Sequence, residues 1–124
     1  MKENIDPVAE ARFECSACNN EAGHIQLLRG PTSAELRRMS FTSAFSSVVS
    51  HEHFDTLRMA IADRDVRALH SLDLEYTPFF CPRCDAIYCG DHWETWDVFA
   101  EDDPHWHDSI RGRCPNGHER MLED

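Results

Sequence analysis

Apolar residues along this chain come in short bursts, and the spacing within each burst differs. Residues 25–29, IQLLR, form a compact run that Gly30-Pro31 cuts off, so a short strand is expected there. The next stretch, TSAELRR (32–38), is mostly polar and predicts a turn or a short helix. FTSAFSSVVS (41–50) is rich in β-branched and aromatic residues and predicts a strand or hairpin. Ser50 then stands where a helix N-cap belongs, and Phe54, Leu57 and Ile61 fall on one face of a helix over about 51–63. A second short helix begins after Asp65, with Val66, Leu69 and Leu72 three apart, and Pro78 prevents its continuation.

From Thr77 the texture changes. Phe79-Phe80 leads into a Cys- and His-rich segment in which AIY (86–88) suits a short strand. HWETWDVF (92–99) reads as a short helix with Trp93, Trp96 and Phe99 on one face. EDDPHWHD (101–108) reads as an acidic loop, and Asn116-Gly117 as a tight turn in the last stretch. At the start of the chain, Phe13 is positioned to pack as the backbone reaches Cys15. The expected organisation is an N-terminal segment with one Cys pair (1–24), an α/β insert (25–76) and a zinc-binding region (77–124).

A chain of 124 residues can bury about two-thirds of its unfolded surface. Its apolar fraction, 41%, is modest, which leaves room for another source of stability. Six Cys and eight His make metal the obvious one. The net charge is −11, and a site of three thiolates and one imidazole stays net negative when zinc binds, so metal does not relieve the excess. Such a surface repels phosphate backbones and anionic lipid, so nucleic-acid and membrane partners are not expected. The absence of a long apolar run and of a signal-like leader leads to a cytoplasmic expectation, and in a reducing compartment paired Cys read as metal ligands rather than disulfides.

Four pairs carry the chemistry: Cys15-x-x-Cys18, Cys81-x-x-Cys84, Cys89-x-x-His92 and Cys114-x-x-x-His118. Zinc takes four Cys or His ligands in a tetrahedron. One tight turn can present two of them, so two pairs complete one site and four pairs give two zinc ions per chain. Two groupings are open. In a cross-brace, Cys15, Cys18, Cys89 and His92 hold the first zinc, and Cys81, Cys84, Cys114 and His118 the second. In a sequential arrangement Cys81, Cys84, Cys89 and His92 share one ion. The strand-like AIY between the second and third pairs carries them apart and favours the cross-brace.

CPRCDAIYCGDHWETW (81–96) with the later CPNGHER (114–120) resembles the cross-brace zinc family that includes RING and FYVE domains. FYVE domains carry a basic run beside their ligands for phosphoinositide, but here the ligands follow YTPFF (76–80). The resemblance is closest to RING-type ubiquitin ligases. Their Trp four residues after the sixth ligand corresponds to Trp96, and their Pro directly after the seventh to Pro115. Their Arg beyond the eighth ligand corresponds to Arg120, displaced by one position because Glu119 follows His118 directly. The apolar position before the second ligand is Ala17, the second pair is Cys-x-x-Cys rather than Cys-x-His, and 62 residues separate the first two pairs.

The resemblance implies a small α+β domain on a two-zinc RING-like cross-brace, with a strand-helix insert after the first knuckle. It implies a ligase or adaptor that positions a conjugating enzyme carrying a ubiquitin-like protein, with Ala17, Trp96 and Pro115 contacting the enzyme and Arg120 acting in transfer. The alternative is a non-catalytic, zinc-stabilised protein-protein interaction module. A third reading places a catalytic metal at His105 and His107 beside Asp102, Asp103 and Asp108. His51, His53 and His70 read as helix-surface residues, and His24 as a weak substitute for His92.

Overall fold

The computed structural model describes residues 7–99 and 107–123 of the chain. Its first half is an antiparallel meander of β1 (Ala9–Glu14), β2 (Glu21–Arg29), β3 (Ala34–Ser40) and β4 (Ala44–Val49), paired in that order. In β1 the alternation is strict: Ala9, Ala11 and Phe13 are buried, while Glu10, Arg12 and Glu14 are exposed. Two helices follow, α1 (His51–Ala62) and α2 (Val66–Leu72), then one 3-10 turn (Leu74–Tyr76). Helix α1 lays Phe54, Leu57, Ala60 and Ile61 against β1 and β2. Ser50 is its N-cap residue, but the Ser50 hydroxyl bonds His53 Nδ1 at 2.7 Å rather than the helix backbone. Asp65 caps α2 in the usual way, accepting from the Ala68 N–H at 3.1 Å.

The second half holds a two-residue pair, β5 (Phe80–Cys81) with β6 (Ala86–Ile87), and a three-stranded antiparallel sheet, β7 (Glu94–Phe99), β8 (His107–Arg113) and β9 (Glu119–Glu123). One buried cluster runs through both halves. Phe13 stacks on Phe79 with ring centroids 5.3 Å apart, and Ile25, Leu27, Leu36, Ile61 and Leu122 are fully buried around them. Gly23 is required by this packing: a Cβ there would lie 2.2 Å from Phe79 Cε2. Arg38 points inward from β3 with 0% exposure and joins β9 through Glu123 at 3.6 Å.

Two sequence expectations are corrected. Residues 34–40 form a strand, not a turn or helix, because Leu36 and Arg38 face the core at a spacing of two. Residues 94–99 form a strand, not a helix. The three-residue spacing of Trp93, Trp96 and Phe99 crosses an element boundary. Trp93 precedes β7 and is buried, its indole N–H donating to Phe79 O at 3.2 Å. Trp96 and Val98 then share the half-buried face of β7, and Phe99 is exposed. β-branched Thr95 and Val98 fit that pleat, and pairing to β8 stabilises it. The expected boundary at 24/25 falls inside β2, so the first knuckle and the insert share one sheet. The predicted acidic loop at 101–108 and His105 lie outside the described residues, apart from the start of β8.

Candidate metal centre

The four pairs occupy four turns that the local sequence bends in related ways. Cys15–Cys18 lies in the connection from β1 to β2, and Cys81–Cys84 in the connection from β5 to β6. In both, the residue after the second Cys adopts a left-handed conformation: Asn19 at φ 65° and Asp85 at φ 53°. Asn and Asp are the non-glycine residues that tolerate this best. The last pair is spaced by three, and Gly117 supplies the left-handed turn at φ 87°. In the third pair, the N–H groups of His92 and Trp93 both donate to Cys89 O, at 2.9 and 3.0 Å.

The fold brings these turns together in two groups. Cys15, Cys18, Cys89 and His92 form one, and Cys81, Cys84, Cys114 and His118 the other; within each, the candidate ligand atoms lie within 4.8 Å of one another. The first pair thus meets the third and the second meets the fourth. In the first group Cys15 Sγ is 3.6 Å from His92 Nδ1, Cys89 Sγ 3.3 Å from the same atom, and Cys18 Sγ 3.6 Å from Cys89 Sγ. In the second, His118 Nδ1 lies 3.6, 3.2 and 3.6 Å from the sulfurs of Cys81, Cys84 and Cys114. Cys84 and Cys114 are 3.7 Å apart, and all six Cys are free of disulfides. Each group can hold one metal ion. His24, weighed as a substitute for His92, instead lies buried on β2 and bonds Glu10 Oε2 at 2.5 Å.

The surroundings prepare these thiols for metal. Burial pushes the Cys15 thiol up, but backbone N–H groups, including that of Ala17 at 3.4 Å, outweigh it and bring its pKa to about 6. The Asn116 amide donates to Cys84 Sγ at 3.1 Å and is the largest cause of a Cys84 pKa of about 6. Burial and the neighbouring sulfurs hold Cys89 up and raise Cys81 to about 11. Cys15 and Cys84 are therefore the sulfurs most ready to meet a cation, and metal binding releases thiol protons.

Around the ligands the chain is tied down. Ser16 and Ile87 exchange two bonds, Ser16 N–H to Ile87 O at 2.7 Å and Ile87 N–H to Ser16 Oγ at 3.2 Å, so the first knuckle is fastened to β6. Arg120 does the same for the second group. Its guanidinium donates to Thr77 O at 2.8 Å, Phe80 O at 2.7 Å, Leu74 O at 3.0 Å and Met121 O at 2.9 Å. Burial lowers its pKa to about 10, with the Cys81 sulfur pulling the other way, so it remains a cation at neutral pH beside a net-negative cluster. Sequence reasoning placed Arg120 at a partner surface; the structure turns its donors inward. Ala17 and Pro115 are exposed, and Trp96 is half-buried with the Arg113 guanidinium 5.7 Å above its ring. Positioning residues that the sequence reading missed are Ser16, read only as a spacer, and Asn116, read only as part of a tight turn.

Fold and site together define a small α+β chain with two Cys3His groups able to bind metal. Residues 3–124 match the family described as a domain of unknown function, DUF8328, and the chain belongs to that family. No curated protein and no solved structure matches it. Among the described residues no helix is long and apolar enough to cross a membrane.

Proposed function

We propose that this chain is a two-zinc structural module that presents a protein-binding surface. The observation that carries the reading is the geometry of the two groups. Four ligands on one zinc, with Zn–S near 2.3 Å and Zn–N near 2.0 Å, stand about 3.8 Å apart between sulfurs and about 3.5 Å between sulfur and nitrogen. The separations here are 3.6 and 3.7 Å between sulfurs and 3.2–3.6 Å between sulfur and nitrogen. Three thiolates and an imidazole suit zinc rather than magnesium or calcium. Four protein ligands close each site, so neither offers a position for a substrate or a hydrolytic water. The ions' role is then to tie together segments distant in the chain, since each would fasten a knuckle to a segment at least 30 residues away. Chelating the metal-loaded chain and following its near-UV spectrum tests this: the account expects loss of the Trp signal, and an unchanged spectrum contradicts it.

A second reading, a RING-like ligase or adaptor, keeps one specific support. The interleaved grouping is the cross-brace order, and Ala17 and Pro115 are exposed for contact. The Arg120 geometry does not favour it. A reconstituted conjugation assay, with an activating enzyme, a conjugating enzyme and a ubiquitin-like protein, separates the readings: transfer that depends on Trp96 supports the ligase, and no transfer leaves the module.

A further inference from the structure

We propose that the outer edge of β4, unpaired among the described residues, pairs with the same edge of a second copy, joining two meanders into one continuous eight-stranded sheet. The inference is independent of the metal reading and concerns the opposite end of the sheet from the first knuckle.

Sheet edges are normally protected by charges, bulges or proline, because their unpaired backbone groups recruit other strands. Among the described residues, the other outer strands of the two larger sheets show such protection, and β5 and β6 are only two residues long. β1 carries Glu10, Arg12 and Glu14 and a register shift at Phe13/Glu14. β7 carries Glu94 and Asp97 and a shift at Val98/Phe99, and β9 carries Glu119, Arg120 and Glu123. β4, with the sequence AFSSVV, has no charge, no proline and an unbroken register against β3. Its Val48 is 77% exposed.

The hairpin register shows which backbone groups face outward. Ser40 N–H donates to Ser43 O at 3.2 Å, which makes that a hydrogen-bonded pair. Antiparallel pairs alternate, so Phe45, Ser47 and Val49 turn their N–H and C=O groups toward β3. Ala44, Ser46 and Val48 turn theirs to the open edge. Two such edges related by a two-fold axis through Ser46 match donor to acceptor, with Ser46 opposite Ser46 and Ala44 opposite Val48. The faces agree as well: all three of these side chains lie on the exposed face of the sheet.

Charge selects the occupant. The neighbours of β4 on that face are Met39, which is uncharged, and Glu35 and Arg37, which pair with each other at 3.2 Å, while Ser46 Oγ donates to Glu35 at 2.7 Å. The patch is locally neutral and has nothing to attract a basic peptide. It is a place where two chains of net charge −11 can meet without setting like charges face to face. Their remaining long-range repulsion is screened by salt.

The experiment follows backbone amide exchange and sedimentation of the metal-loaded full chain over a concentration series. The expected result is a monomer–dimer equilibrium with a dissociation constant of about 10–100 µM, as befits a small interface. Amides of Ala44, Ser46 and Val48 gain protection as concentration rises, while those of Phe45, Ser47 and Val49 are protected throughout. Raising salt tightens the dimer several-fold. Ser46→Pro removes an outward N–H, which an edge strand tolerates, and weakens association about tenfold or more. Val48→Lys, at a solvent-facing position, weakens it in the same direction and serves if Ser46→Pro does not fold. A chain that stays monomeric to about 500 µM, protection that does not alternate along β4, or weakening by salt overturns the proposal; the last outcome would point to an oppositely charged surface instead.

Discussion

Replacing Arg120 by Ala isolates what its guanidinium does. Four backbone carbonyls, from Leu74, Thr77, Phe80 and Met121, lose the guanidinium at once, although Leu74 O and Thr77 O keep the backbone N–H groups of Thr77 and Phe80. Three of them belong to the turn that leads from the 3-10 segment into Cys81, so the loss falls on the second metal group. A hydrogen bond to a charged donor is worth about 1.5–3 kcal/mol, and such bonds are not additive when one side chain makes them all. Water reaches some of the released carbonyls, so the expected destabilisation is about 4 kcal/mol. For a domain of this size that lowers the melting temperature by about 15 °C. Arg120→Lys restores a charge but only a single ammonium, which cannot span the four acceptors, and recovers less than half. The assay is thermal unfolding of the metal-loaded proteins with matched metal content. A loss below about 1 kcal/mol refutes the clamp, and would return Arg120 to a role that operates only in a complex.

Three further outcomes follow from the same geometry. Gly23→Ala drives a methyl into the Phe79 ring and should destabilise by about 2–3 kcal/mol in denaturant titration; a neutral effect would mean the ring moves freely. His70 is held below its ordinary value of 6.5 by burial first and then by Arg120 and Arg67. Folding therefore favours its neutral form, so its contribution is present above pH 6.5 and is lost as pH falls below that value; His70→Gln should flatten that part of the stability–pH curve relative to wild type, and identical slopes would exclude the effect. Cys15→Ser should weaken metal at the group containing Cys89 and His92 while sparing the other, read by competition with a chromogenic chelator; equal weakening of both, or of neither, contradicts the grouping.

The ligand pairs were legible in the sequence because metal chemistry fixes residue type and short spacing together. The helix over 51–63 was legible because Phe54, Leu57 and Ile61 have one period and one partner surface. β3 was hidden because its inward positions include Arg38, a charge that is buried only by virtue of Thr42, Ser43 and the distant Glu123. β7 was hidden because Trp93, which belongs to the knuckle turn, completes a false helical period with Trp96 and Phe99. Arg120 shows the same limit: a local spacing can suggest a surface contact, but three of its four acceptors lie 40 to 46 residues earlier in the chain.

The central claim is that two zinc ions, each shared between an earlier and a later pair, hold this fold together. Native mass spectrometry of the protein purified without chelator, with elemental analysis of the same sample, tests it most directly. The account predicts two zinc ions per chain, and one per chain in Cys15→Ser with the remaining ion held by Cys81, Cys84, Cys114 and His118. A wild-type chain that folds with one zinc or none contradicts it.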